Sequence, residues 1–156
     1  MSCDAPVSIN EEVLMYLFKK AIMIEEVNIN MLLRLFVAEE ESETRKILYE
    51  IMRDCQCHKA MAMECLKALK GAEYPETMEF KHYQFEDMFH AERSTILKKA
   101  MITLRDYYSY LLEDLKQAEA NNNVDRKVTQ HISKCLELLI KEKEKHLKLV
   151  EDIWKF

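Results

Sequence analysis

Acidic, imidazole and thiol side chains recur in this chain one helical turn apart. Glu142 precedes His146 by four residues, and Asp54 precedes His58 by four with Cys55 between them. Within a helix that spacing stacks a pair on one face. Glu25, far upstream, adds a third carboxylate. A carboxylate with two imidazoles suits Fe, Mn or Zn, so Glu25, His58, Glu142 and His146 form a candidate metal site. Asp54 and Glu142 can add oxygen ligands, and Cys55 a thiolate. The same residues also fit a plainer role. A buried histidine is satisfied by one carboxylate, His58 by Glu25 and His146 by Glu142, with no metal at all.

Bringing these residues together requires helices, and the sequence is patterned for them. A first helix is expected from about Ser8–Asn10, where Ser8 and Glu11 fit a capping box, to Glu39–Ser42. Its apolar seam is Leu14, Leu17, Ala21, Ile24, Asn28, Met31 and Leu35, with Glu25 at the edge of the stripe. The steps of three and four are those of a helix packed along its length on a neighbour. A second helix, Glu43 to Lys70, carries Leu48, Ile51, Cys55, His58, Ala62, Cys65 and Leu69. Gly71 and Pro75 end it, and Gly71–Met78 forms a connector that suits a crossover. A third helix begins between Glu79 and Arg93 and runs to Ala120, with Leu97, Ala100, Leu104, Tyr107 and Leu111 inward. The run Asn121-Asn122-Asn123 breaks it, with Asn123 as N-cap of the next helix. The fourth, from Val124, presents Val128, Ile132, Cys135, Leu139, Glu142, His146, Leu149 and Ile153.

With a hairpin turn near Glu41, Glu25 lies 16 residues before the turn and His58 17 after it. In an antiparallel pair the two share one height. The halves of the chain also look alike. Lys19-Lys20-Ala21-Ile22-Met23-Ile24 matches Lys98-Lys99-Ala100-Met101-Ile102-Thr103, and each half later places a histidine in a helix, His58 and His146. The second spacing is nine residues longer, as an insertion near the second hairpin turn would make it.

Those residues resemble the ferritin-like superfamily, especially its rubrerythrin-like members, over most of residues 11–156. The resemblance implies an all-α, ferritin-like four-helix bundle of two antiparallel hairpins with a crossover. It also implies one Glu from the first helix of each hairpin and a Glu-x-x-His from the second, together holding two irons. Glu25 falls at the first-helix ligand position, and His58 and His146 at the two histidines. Cys55 and Lys143 stand where the motif glutamates belong, and Leu104 stands opposite Glu25 in the second half. Asp54 and Glu142 are displaced by one residue, about 100° around their helices. Three of six ligand positions therefore match. A partial site for Fe, Mn or Zn is one expectation. A bundle without metal, in which Lys143 replaces a cation, is the other.

Composition narrows the classes further. The chain of 156 residues carries a net charge of −5 with one glycine and two prolines. That suits a single domain over residues 8–156 rather than a sheet protein rich in turns. Lys and Glu are mixed along the same stretches, so no basic stripe awaits a nucleic acid. No apolar run reaches the roughly 20 residues of a membrane span. The opening MSCDAPVSIN lacks a signal pattern, which points to the cytoplasm. One glycine rules out a phosphate-cradling loop. A non-catalytic helical scaffold, dimerising through an outer helix face, is the alternative to metal binding. A thiol redox sensor built on Cys55 and Cys57 is a third reading, although in a helix these two point to different faces. The stripe His82, Glu86, His90 is expected to be solvated helix surface over 79–95. Tyr107, Tyr108 and Tyr110 and most of the ten methionines are expected in the core.

Overall fold

The three- and four-residue steps fold as four α-helices in the computed structural model, which describes residues 9–69 and 84–154. Helix α1 spans Glu11–Ala38, α2 Ser42–Ala68, α3 His90–Ala120 and α4 Arg126–Asp152, with a 3-10 turn at Phe85–Asp87 before α3. No strand occurs among the described residues. The expected capping residue Ser8, the connector Gly71–Met78 and His82 lie outside them.

Local chemistry sets the ends. The Asn10 side chain accepts the Val13 N–H at 3.0 Å and opens α1. Asp125, not Asn123, caps α4 by accepting the Lys127 N–H at 2.8 Å. The asparagine run instead closes α3. Asn122 takes φ 55°, a left-handed conformation that Asn tolerates. The Asn123 N–H then reaches the Ala118 carbonyl and the Asn122 N–H the Glu119 carbonyl, the paired bonds that close a helix terminus. The Asn123 side chain donates to the Ile9 carbonyl at 3.0 Å, tying this turn to the start of α1. The stripe expected over 79–95 is interrupted. Met88 and Phe89 are extended, and His90 opens α3 with its ring stacked 5.9 Å from Trp154.

Helices α1 and α2 pack as one hairpin and α3 and α4 as the other, with α1 beside α3 and α2 beside α4. The pairs Asp54–His146 and His58–Glu142 set α2 antiparallel to α4. Arg93 meets Glu39 at one end of the bundle, and Asn123 meets Ile9 at the other. So α2 and α3 run the same way, and α2 closes at the end opposite to where α3 opens.

The interior has three storeys. One apolar cluster gathers Leu14, Phe18, Cys65, Leu111 and Leu136. A second gathers Leu35, Leu48, Leu97, Met101 and Val150. Between them lie the buried polar residues Glu25, Asn28, His58, Lys143 and His146.

All seven positions of the α2 seam are buried. The other three stripes are rotated by about one residue in places. Phe18, Ile22 and Glu25 are fully buried in α1, whereas Leu17 and Ile24 are half-buried. Met101 and Tyr108 take the places expected of Ala100 and Tyr107, and Tyr110 is exposed. In α4 the buried line is Ile132, Leu136, Leu139, Lys143, His146 and Val150. Cys135, Glu142 and Leu149 sit at its margin. Adjacent residues differ by only 100° around a helix, so a spacing pattern admits either neighbour. The larger side chain, or the one with a partner across the core, decides which turns in.

Candidate functional site

Glu25 faces inward from the middle of α1, where a carboxylate without partners is costly. Three groups meet it. Lys143, from the diagonally opposite α4, places Nζ 2.9 Å from Oε1 and 3.0 Å from Oε2. The Tyr108 hydroxyl on α3 donates to Oε1 at 2.8 Å. The third proton of the Lys143 ammonium points to Cys55 Sγ on α2, 3.6 Å away. All four helices contribute, and both charged side chains have 0% exposure. Burial pushes the Glu25 carboxyl above its usual range, opposed by the Lys143 ammonium and the Tyr108 hydroxyl. The Cys55 thiol is pushed up to about 12, again by burial before any other cause.

A second group lies one turn away between α2 and α4. The rings of His58 and His146 stand 5.3 Å apart. His146 Nε2 is 3.1 Å from Asp54 Oδ2, and His58 Nε2 is 3.8 Å from Glu142 Oε2. The imidazoles are 4% and 0% exposed and the carboxylates 31% and 25%, so nitrogen donors line the inside and oxygen donors the mouth. Burial drives the His58 imidazole down to about 2, helped by the Lys143 charge and by His146. His146 is also lowered, chiefly by burial, with Asp54 pulling the other way. Burial thus favours the neutral form of both rings, the form in which imidazole binds metal.

His58 is unusual as a structural residue. Its Nδ1 has no hydrogen-bond partner among the described residues. Its Nε2, at 3.8 Å from Glu142, is beyond hydrogen-bond reach. His146 Nδ1 and Asn28 Nδ2 are similarly without partners among the described residues. An unsatisfied buried polar group costs about 1–3 kcal/mol.

The donor set fits one metal ion better than two. Two ligands on a common tetrahedral metal at 2.0–2.2 Å stand roughly 3.3–3.6 Å apart, and His146 Nε2 and Asp54 Oδ2, now hydrogen-bonded at 3.1 Å, are within a few tenths of an ångström of that. Asp54, Glu142 and His146 offer donor atoms within 4.8 Å of one another, as do Cys55, His58 and His146. Glu25 does not belong to either group, because Lys143 occupies both of its oxygens. The expectation that Glu25 and His58 converge is met in height but not in contact. Glu142, expected on the seam, stands at the rim.

Sequence spacing alone marks neither Tyr108 nor Lys143 as a participant. Tyr108 reads as packing, and only its phase with Leu104 and Leu111 marks it as inward. The inward turn of Lys143 depends on Glu25, which is 118 positions away. At the end of the bundle, Glu39 Oε2 accepts from Trp154 Nε1 at 2.6 Å and from Arg93 Nη1 at 3.3 Å. Arg93 Nε also donates to the Phe85 carbonyl at 2.9 Å. This buried clasp joins α1, α3 and the end of α4.

Cys55 and Cys57 do not meet: Cys55 is buried and Cys57 exposed. A protonated, buried Cys55 has the opposite character to a reactive thiol.

No family model, no curated protein and no solved structure matches this chain. No helix among the described residues is long and apolar enough to cross a membrane.

Proposed function

We propose that this protein is a diverged ferritin-like, rubrerythrin-like bundle that binds one first-row divalent metal, Zn, Fe or Mn, between α2 and α4. Asp54, His58, Glu142 and His146 are the ligands. The single observation that carries this reading is His58, a buried neutral imidazole with neither nitrogen hydrogen-bonded among the described residues. A metal ion would satisfy it, and the flanking carboxylates supply the balancing charge. Cys55 is left out, since its thiol holds its proton and already meets Lys143. Glu25 is left out because Lys143 stands in place of a second cation. A metal held here would supply Lewis acidity or a one-electron couple on the side where the carboxylates reach solvent. The chain's own residues keep the imidazoles neutral and hold the donors at one level.

The inner Glu25–Lys143–Tyr108 network favours a second reading, a metal-free scaffold, because that network is complete without an ion. Metal analysis separates the two. The full chain, purified without a histidine tag, is dialysed against Zn²⁺, Fe²⁺ or Mn²⁺ and its metal content measured. One equivalent is expected, abolished in His58→Ala and His146→Ala but kept in Glu25→Gln. Absence of bound metal, or binding indifferent to both histidines, rejects the metal site and leaves the scaffold.

A further inference from the structure

The antiparallel register that sets Asp54 against His146 and His58 against Glu142 continues along α2 and α4. Two turns further, it sets Cys65 against Cys135. Cys65 is 1% exposed, and Cys135 is half-buried at the margin of the same apolar cluster. The Cys135 Sγ lies 3.9 Å from the carbonyl oxygen of Met61, one turn before Cys65. Cys65 and Cys135 perturb one another's titration, as neighbouring thiols do. The Cys135 S–H donates to the Met61 carbonyl, which turns its sulfur toward α2.

We propose that Cys65 and Cys135 are an oxidation site, converted by hydrogen peroxide into a disulfide that staples α2 to α4. The two thiols differ in the way such a reaction needs. Cys135 is the one solvent reaches, and its neighbour Cys65 draws its thiol below the ordinary range. Cys65 is shielded and is held above it by Cys135 and by burial. The thiolate is the nucleophile in such chemistry. The Cys135 sulfur attacks the peroxide, the O–O bond breaks, and one oxygen leaves as water carrying the thiol proton. Cys135 is then a sulfenic acid. The Cys65 sulfur attacks it, the S–S bond forms, the S–O bond breaks, and the oxygen leaves as a second water with the Cys65 proton. Two thiols give up two electrons, and one peroxide is reduced to two waters.

The structural consequence is a covalent crosslink between hairpins whose other side-chain contacts are noncovalent. Neither Cys55, engaged with Lys143, nor Cys57, on the outer face of α2, is placed to do this. The site is independent of any metal, since it lies among apolar residues seven positions beyond His58.

The test treats the metal-free full chain with stoichiometric hydrogen peroxide, alkylates remaining thiols and maps the peptides by mass spectrometry. A Cys65–Cys135 crosslinked peptide is expected in the wild type and in Cys57→Ser, together with a rise in Tm of about 5–10 °C that a dithiol reverses. Cys65→Ser should instead accumulate sulfenic acid at Cys135, trapped by dimedone. Full alkylation of both thiols under conditions that oxidise Cys57 overturns the proposal, as does a crosslink through Cys55 or Cys57. If Cys65→Ser fails to fold, the wild-type and Cys57→Ser maps decide alone.

Discussion

Replacing Lys143 by Met exposes how the middle storey is held. The substitution keeps the apolar stem and removes the ammonium that contacts both Glu25 oxygens at 2.9 and 3.0 Å. Glu25 keeps only the Tyr108 hydroxyl at 2.8 Å and stays fully buried. Breaking one side of a buried pair costs about 3–5 kcal/mol, which for a chain of this size lowers Tm by roughly 6–20 °C. Urea unfolding followed by circular dichroism measures it. The sign of the pH dependence is also fixed. Glu25 already has a raised folded-state pKa, and losing Lys143 raises it further. Its stabilising contribution is full below its ordinary value of 4.5 and is lost as pH rises through the folded value. Lys143→Met should therefore be least impaired in acid. Adding Glu25→Gln should recover part of the loss, with a coupling of about 1–3 kcal/mol. A cost under about 1 kcal/mol, or single effects that simply add, would refute the claim that these two charges hold one another.

Two further outcomes follow from the same geometry. In metal-free protein, His58 has a folded-state value of about 2 against an ordinary 6.5, so its contribution is present above pH 6.5 and lost as pH falls. Stability should decline by about 1.4 kcal/mol per pH unit for this group; His58→Asn should remove that slope in denaturation series, and an unchanged slope would show that His58 is not the titrating group. Glu39→Ala removes the acceptor of both Trp154 and Arg93, so fluorescence of the single tryptophan should report the end of α4 loosening below the global unfolding temperature, and coincident transitions would contradict this.

Helix count, hairpin pairing and the identity of α2's buried face were legible because three-and-four spacing is a local property. The phase of the other stripes was less so. In α4 the choice between Glu142 and Lys143 depends on what stands across the bundle, and Glu25 stands there. The histidines were legible as members of an apolar seam. Their partner Asp54 was found as a neighbour one turn away, while Tyr108 and the Glu39–Arg93–Trp154 clasp were not, since each joins residues far apart in sequence. The three asparagines marked a break, but which of them would turn left-handed is set by the two backbone bonds that close α3.

The storeyed interior also limits how this sequence can drift. In either apolar cluster a leucine can become a methionine, or an isoleucine a leucine, at small cost. The middle storey has no such latitude. Sliding α1 or α4 by a turn would carry Lys143 about 5 Å from Glu25 and strand both charges in hydrocarbon. The polar layer therefore acts as an alignment pin, admitting one vertical setting of four greasy rods that would otherwise tolerate several. Changes at Glu25 or Lys143 should survive only in compensated pairs, so descendants of this chain would be expected to keep both residues or neither.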